Sequence, residues 1–361
     1  MKLLACPACG ATVYFNNSLC TACGAEIGFA PGAMAMVAPG PDGSATVQGR
    51  RWRKCTHYAQ LMGCNWMVEG EDAGLTQPFC VSCRLNRTVP DLSQPWNRTL
   101  WKRLEEEKRR LIYAALRLGL PVAPMADGPG GLAFDFLADV APSFSETGRV
   151  MTGHAEGLIT INIAEADPVA RERMRAQMAE PYRTILGHLR HESGHYYWDR
   201  LVRGTALLGP FRALFGDDSA DYNAALAQHY ANGPPPDWPQ HHVSAYAAAH
   251  PWEDWAESWN HYLLMLDTLE TAWAFGLGLD PGATAARALA ADPARDPYRP
   301  TDFDTLVAQW LPLTVAINAL NASMGHEPAY PFALGAVALR KLAFVHAVVR
   351  GTPPPEPGGY P

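Results

Sequence analysis

The chain has 361 residues, enough for two or three domains, and 48% of them are hydrophobic, which can supply a sizeable core. The formal net charge of −7 argues against general affinity for nucleic acid. The amino end offers no room for the apolar core of a signal peptide, and no uninterrupted run of 18 apolar residues occurs, so we expect a cytoplasmic protein without a membrane partner.

All eight cysteines lie within the first 83 residues. Disulfides are not expected without export, so metal binding is the default use of these clustered thiols. Two C-x-x-C-G motifs predict a zinc ribbon over residues 1–29, in which four thiolates close a tetrahedral structural site: Cys6, Cys9, Cys20 and Cys23. A redox dithiol is the alternative interpretation, but a redox site uses one C-x-x-C motif, and this segment has two.

Residues 30–92 predict a second zinc-binding β module. The segments 33–37 and 45–47 flank a turn-rich loop, a pattern typical of a hairpin. Four more thiols predict a second structural zinc site, for which His57 is an alternative ligand: Cys55, Cys64, Cys80 and Cys83. Basic residues near Trp52 and Trp66 are interpreted as a solvated face, with nucleic-acid binding as the alternative: Arg50, Arg51, Arg53, Lys54, Arg84 and Arg87.

Residues 93–351 predict one mostly helical domain with a small β-sheet. Residues 95–118 indicate a helix that begins at Pro95 and ends before Gly119. Strand patterns follow at 132–137 and 158–163, and helices dominate beyond them. The Pro- and Gly-rich tail, residues 352–361, is expected to be disordered.

The most informative motif is His191-Glu192-Ser193-Gly194-His195, which has the H-E-x-x-H spacing of zinc hydrolases. It lies in residues 182–201, where apolar residues recur at helical spacing and Pro181 suits the first turn. Positions i and i+4 share one helix face, so both imidazoles can bind one metal ion, with Glu192 beside its open position. The alternative is a buried helix with two hydrogen-bonded histidines.

A catalytic zinc takes three protein ligands, so one more must come from elsewhere. Trp198 and Leu201 stand where the metzincin pattern needs Gly and His, which excludes that class. A Trp-rich segment, residues 251–262, predicts a buried helix with three polar side chains on one stripe: Glu253, Glu257 and His261. Carboxylates are rarely buried without a metal or charge partner, so both glutamates are candidate ligands. A salt-bridged surface stripe is the alternative.

Glu253, Ala256 and Glu257 resemble the E-x-x-A-D/E arrangement of the glutamate zincins. That resemblance implies that Glu253 binds the metal and that Glu257 holds a ligand histidine; the reverse assignment stays open. The chain as a whole is similar to the bacterial family of zinc-binding metallopeptidases with an N-terminal zinc ribbon, on motifs that span nearly its full length: Cys80–Leu92, Arg190–Leu201, His250–Glu257 and His261–Leu263. This likeness implies an α+β class, with a mostly helical, zincin-like, gluzincin-like peptidase domain behind small zinc-ribbon modules.

The expected function is zinc-dependent hydrolysis of a peptide or protein substrate, with zinc activating a water molecule and Glu192 as the general base. The developing oxyanion needs a further donor, and His261 ranks first among four candidates: His261, Tyr262, His154 and Tyr330. The strand 158–163 is expected to be a sheet edge that pairs with extended substrate. We expect three zinc ions, one catalytic and two structural.

Two other functions stay open. The ribbons could recognise a protein or nucleic acid, with the zincin domain as a non-proteolytic scaffold, although the intact ligands and general base argue against this. The ribbons are in either case a candidate surface for a protein partner. A zinc hydrolase that acts on a non-peptide amide has the same sequence pattern as a peptidase.

Overall fold

In a computed structural model of the protein, the structure describes residues 2–59, 63–70, 78–139, 152–177, 183–282 and 284–354. Contacts divide the chain into two compact units, Met1–Met174 and Arg175–Pro361. Pro181 and most of the predicted disordered tail lie outside the described residues. The domain boundaries expected at residues 29, 92 and 351 stay predictions.

The first unit begins with short hairpins around the cysteine motifs. Two antiparallel pairs form there: β1 (Leu4–Ala5) with β2 (Thr12–Val13), and β3 (Gly28–Ala30) with β4 (Ala35–Val37). Gly10 and Gly24 have φ of 77° and 74°, which side chains with a Cβ rarely adopt. Each glycine N–H donates to the carbonyl of the cysteine that opens its motif, at 2.9 and 2.8 Å. The chain therefore curls back after each motif as the C-x-x-C-G pattern predicts.

A three-stranded antiparallel sheet follows, in the order β5 (Ser44–Val47), β6 (Arg50–Lys54) and β7 (Met67–Glu69), with the short helix α1 (Thr56–Ala59) between the last two. The predicted hairpin between residues 33–37 and 45–47 is wrong, because β4 pairs back with β3 and β5 pairs forward with β6. Gln48 and Gly49 both have positive φ, 51° and 75°. Such a two-residue turn matches the twist of antiparallel strands, and it fixes the pairing of β5 with β6.

A four-stranded mixed sheet and a long helix complete the first unit. The helix α2 (Pro95–Arg117) agrees with the predicted helix 95–118. The strands lie in the order β10 (Gly153–Ala155), β11 (Leu158–Asn162), β9 (Ala133–Leu137) and β8 (Asn86–Thr88), and α3 (Pro168–Gln177) follows them in the chain. Because β11 pairs with β9 on one side and β10 on the other, the predicted free edge at this strand is wrong.

The cysteine modules share a core with α2. The ring of Phe15 lies 5.2 Å from that of Tyr113 on α2 and 5.0 Å from that of Phe29, in edge-to-face geometry. Each such pair contributes about 0.5–1.5 kcal/mol beyond the area it buries. Lys108 is buried with its Nζ 2.6 Å from Glu105, and the ammonium lies 5.4 Å from the ring of Phe134 in β9. The helix thus joins the cysteine modules to the sheet.

The second unit is helical in the residues that the structure describes. Its helices are α4 (Ile185–Leu201), α5 (Leu208–Phe215), α6 (Tyr222–Asn232), α7 (Trp238–His241), α8 (Pro251–Phe275), α9 (Phe303–Ser323) and α10 (Ala336–Arg350). Trp255 and Trp259 of α8 are fully buried, as the Trp-rich pattern predicts. Together the two units have the expected α+β class.

A buried ion pair joins α10 to α8. Lys341 Nζ donates to Asp254 Oδ2, and the two side chains are 3% and 1% exposed. The same Oδ2 lies 3.0 Å from Nδ1 of His242, at the end of α7, and Lys341 also donates to the carbonyl of His241. Removing either charge would leave the other buried without its partner, so this network fixes the segment that precedes α8.

The helix α9 is long and apolar enough to cross a membrane by length and composition alone. Core helices pass the same test, and 39% of its most apolar window is buried. Asp302 caps the start of the helix, and its carboxylate accepts a hydrogen bond from the backbone N–H of Thr305 at 2.8 Å. We assign no membrane contact to it on this weak signal.

Candidate metal centres

The helix α4 places both histidines of the H-E-x-x-H motif against α8. The helix is capped by Thr184, whose hydroxyl accepts from the N–H of Gly187 at 2.9 Å. His191 and His195 are 8% and 4% exposed, and their ring centroids are 5.0 Å apart. A Cβ on Gly194 would lie 2.9 Å from the Cα of Ala256, so glycine is required for the two helices to cross this closely.

Glu253 comes from the first turn of α8, directly opposite the histidines. Its Oε2 lies 3.0 Å from Nε2 of His191 and 3.6 Å from Nε2 of His195. Ligand atoms of these three residues all lie within 4.8 Å of one another. Glu253 is 1% exposed, and its Oε2 accepts no hydrogen bond within the described part of the chain. Two imidazoles and one carboxylate converging in this way fit the ligand set of a catalytic zinc.

Glu257, one turn further along α8, contacts the other side of the His191 ring. Its Oε1 lies 2.7 Å from Nδ1, and its Oε2 accepts from the hydroxyl of Ser244 at 2.7 Å. Burial opposes a charge on His191, but the contacts with Glu253 and Glu257 outweigh it and raise the pKa of the ring well above its usual value. Two buried carboxylates around one imidazole demand a positive charge, which a divalent cation would also satisfy.

Glu192 lies on the same face as the histidines and is buried beside His188. The Oε1 of Glu192 is 3.2 Å from Nε2 of His188, one turn earlier on α4. Burial tends to raise the pKa of Glu192, yet the hydrogen bond from His188 and the nearby imidazoles leave it lowered. The side chain is therefore a carboxylate that can accept a proton.

Three aromatic side chains surround this group, and sequence reasoning missed all of their roles. The ring of Trp252 lies 3.9 Å from that of His195, and Tyr222 of α6 donates a hydrogen bond to Oε1 of Glu253 at 2.6 Å. Tyr246 lies in a 3-10 turn, Tyr246–Ala248, with its ring centroid 5.9 Å from that of His191. Tyr246 lies in a short turn without periodicity, and Tyr222 reaches Glu253 from a different helix, so no local pattern predicts either contact.

Within the second unit, the predicted oxyanion donors His261, Tyr262 and Tyr330 make contacts with side chains other than the three candidate ligands. His261 lies two turns beyond Glu253, about 12 Å along the axis, and its Nδ1 is 2.9 Å from the hydroxyl of Tyr330. Burial lowers the pKa of His261 to about 4, so the ring is neutral. The hydroxyl of Tyr262 is 3.0 Å from Nδ1 of His346. His154 lies in the first unit, where its Nε2 accepts from the N–H of Gly157.

The eight cysteines form two groups of four thiols. In the first, Sγ of Cys6 lies 3.8 Å from that of Cys23, and Cys9 lies 3.7 Å from Cys20. A tetrahedron with zinc–sulfur bonds of about 2.3 Å has edges of about 3.8 Å, so these spacings fit a zinc site. No disulfide joins the cysteines.

The second group is more deeply buried than the first. Its four members are at most 4% exposed, with Cys64 3.7 Å from both Cys80 and Cys83: Cys55, Cys64, Cys80 and Cys83. In the first group Cys9 and Cys23 are exposed. His57 is not part of the second group of ligand atoms, which favours four cysteines over the histidine alternative.

Comparisons with known proteins relate the chain to zinc-binding families. A family model described as "Putative zinc-binding metallo-peptidase" matches residues 97–348, and a zinc-ribbon domain model matches residues 3–94. Uncharacterized proteins of Mycobacterium bovis and Mycobacterium tuberculosis are 40% identical to the chain over 352 residues, covering 97% of this chain and 95% of theirs. No solved structure matches it. The chain belongs to the zinc-binding metallopeptidase family and carries that family's domain behind an N-terminal zinc ribbon.

Proposed function

We propose that the protein is a gluzincin-type peptidase in which His191, His195 and Glu253 hold one zinc ion. The observation that carries this proposal is the buried Oε2 of Glu253, which faces both Nε2 atoms and accepts no hydrogen bond from the described residues. When bound, zinc would supply Lewis-acid polarisation of a water molecule and of the scissile carbonyl. The two groups of four cysteines would hold two further, structural zinc ions.

Glu192 is the proposed general base. It directly follows His191 on α4 and is held at 3.2 Å by His188, so its carboxylate has a fixed position at the metal group. It would take a proton from the attacking water and pass it to the leaving amine. Glu257 and Ser244 fix the His191 ring, and Tyr222 fixes Glu253, so these side chains position the ligands.

Tyr246 replaces His261 as the proposed oxyanion donor. Its ring lies beside His191, whereas His261 is about two helical turns from Glu253. Burial, the largest influence, raises the pKa of Tyr246, so its hydroxyl keeps the proton. A protonated hydroxyl can donate to the charge that develops on the carbonyl oxygen.

The nucleic-acid alternative is disfavoured by the surface charges of the cysteine modules. Three of the basic side chains on and beside β6 are paired with carboxylates: Arg50 with Glu69 at 2.6 Å, Arg51 with Asp42 at 3.7 Å and Lys54 with Glu26 at 2.5 Å. Nucleic-acid surfaces need basic groups that are available to phosphates. Protein partners of the ribbons stay a prediction.

The test compares the purified wild-type chain with Glu192→Gln and His191→Ala. We expect about three zinc ions per chain in the wild type and in Glu192→Gln, and about two in His191→Ala. A proteome-derived peptide library should be cleaved by the wild type alone. Cleavage by Glu192→Gln at the wild-type rate would contradict the assigned base, and a wild type with only two zinc ions would remove the catalytic site.

Tyr246→Phe tests the oxyanion donor once a cleaved peptide is in hand. The rate constant kcat should fall by about 10²–10³-fold with little change in zinc content, as for loss of one such donor. Tyr230→Phe is the matched control, because Tyr230 is 60% exposed on α6. Equal activity of the two variants would exclude Tyr246 from this role.

A further inference from the structure

Arg109 is a fully buried cation in the first unit, on the face of α2 that packs against the second cysteine group. The side chain is 1% exposed. Its Nη2 donates to the carbonyl of Gly63 at 3.1 Å, and Gly63 directly precedes Cys64. Its Nε and Nη1 are buried and have no hydrogen-bond partner in the described residues. A buried guanidinium with two unused donor groups is costly, so something close to it must repay that cost.

The second cysteine group supplies the missing negative charge. A zinc ion with four thiolates carries a net charge of −2, and here all four cysteines are buried. Backbone N–H groups contact the sulfurs of three of them at 3.4–3.5 Å, but these are neutral donors. Burial is the largest single influence on Arg109 and opposes its charge, but Cys64, Glu105, Cys83 and Cys80 together outweigh it electrostatically and leave the pKa of Arg109 raised.

Neighbouring charges do not perform this task. Glu105 also acts on Arg109, but its carboxylate is 2.6 Å from the equally buried ammonium of Lys108, so one carboxylate serves two buried cations and leaves a positive charge over. Arg110 pairs with Glu107 at 2.8 Å and is 28% exposed. In the first cysteine group, Cys9 and Cys23 are exposed, so water can screen the charge of a zinc complex there.

We infer that Arg109 is the counter-charge of the second zinc site and that it neutralises half of the net charge of −2 that a zinc ion with four thiolates carries. The side chain acts by position and charge and is not a zinc ligand. Because Arg109 lies in the segment matched by the metallopeptidase family and the cysteines lie in the segment matched by the ribbon, zinc retention in the ribbon depends on α2. This inference is independent of the proposed peptidase activity.

The test follows zinc release from the full chain into excess chelator, with a metallochromic indicator. The slow phase is assigned to the buried site by its absence in Cys80→Ser, and a faster phase to the exposed site by its absence in Cys9→Ser. In Arg109→Met the slow phase should accelerate by about 10–100-fold, the usual effect of losing a group that supports metal ligands. Arg109→Lys keeps the charge and should release zinc at close to the wild-type rate, and Arg110→Met should match the wild type.

Thermal unfolding separates charge from packing. Arg109→Met should lower the Tm of the zinc-loaded chain but leave that of the chelated chain unchanged or higher, since the neutral thiols no longer attract a cation. A wild-type slow phase in Arg109→Met would overturn the inference. So would equal losses of Tm with and without zinc, or a release rate in Arg109→Lys as fast as in Arg109→Met. If Arg109→Met does not fold, the zinc release rates of Arg109→Lys and Arg110→Met are compared instead. Similar rates support the inference, because Arg109→Lys retains the charge, and much faster release from Arg109→Lys contradicts it.

Discussion

The division of roles between the two glutamates of α8 can be tested by removing one charge at a time. Glu257→Gln keeps the shape of the side chain but removes the charge that faces Nδ1 of His191 at 2.7 Å. A hydrogen bond to a charged group contributes about 1.5–3 kcal/mol. Since about 1.4 kcal/mol corresponds to a factor of ten, the affinity for the catalytic zinc should fall by roughly 10–100-fold.

Two further variants calibrate this effect. Glu253→Gln weakens a direct ligand, so it should abolish measurable zinc binding at the catalytic site while the four-cysteine sites stay filled. Ser244→Ala removes only the hydroxyl that donates to Glu257 at 2.7 Å, which is worth about 1 kcal/mol and about fivefold in affinity. Competition with a chelator of known zinc affinity, on chains already loaded at the cysteine sites, measures all three.

The order of the variants decides the assignment. We expect the loss of affinity to rise from Ser244→Ala through Glu257→Gln to Glu253→Gln. If Glu257→Gln empties the site while Glu253→Gln only weakens it, the two glutamates have the reverse roles. If neither substitution changes the affinity, the His–Glu group is a structural ion-pair cluster and the proposed metal centre is wrong.

Three other predictions concern stability. Gly194→Ala should cost about 1–3 kcal/mol in urea unfolding, because the new Cβ meets the backbone of Ala256 at 2.9 Å; an unchanged midpoint would mean that the helices separate freely. Lys341→Met should cost about 3–5 kcal/mol, and adding Asp254→Leu should recover most of it, since the cost lies in the unpaired charge; two additive losses would refute this. Burial lowers the pKa of His346 to about 4 from 6.5, so the neutral ring's contribution to the free energy of unfolding is present above pH 6.5. That contribution, up to about 3 kcal/mol, is lost as the pH falls towards 4. His346→Leu should flatten the plot of stability against pH in this range, and a slope as steep as that of the wild type would argue against this role.

The parts of the fold that the sequence predicts are those with local signals. Pro95 and Pro251 begin α2 and α8 as expected, because proline suits the first helical turn. The cysteine motifs carry their own turn glycines. The i, i+4 spacing of His191 and His195 needs only a helix to bring both rings to one face.

The errors arose where distant segments decide the structure. β11 was expected at an edge, but its partner β9 comes from the other side of a long connection and pairs in parallel, which no local pattern signals. The sequence also does not show which charges of α2 are buried, and three of the six charged residues at 105–110 are: Glu105, Lys108 and Arg109. Only the cysteine group and the sheet that pack on α2 explain that burial.

The strand β8 limits where this chain can be truncated or recombined. Asn86–Thr88 lie within the ribbon match, residues 3–94, yet they pair in parallel with β9, within the metallopeptidase match. A fragment that starts at residue 97 would lose this strand. The backbone N–H and C=O groups of β9 would then lie unpaired at a sheet edge, where another chain can pair with them. Separating the two segments at this junction should therefore cause the metallopeptidase fragment to aggregate. We expect the ribbon and the metallopeptidase segment to be inherited together.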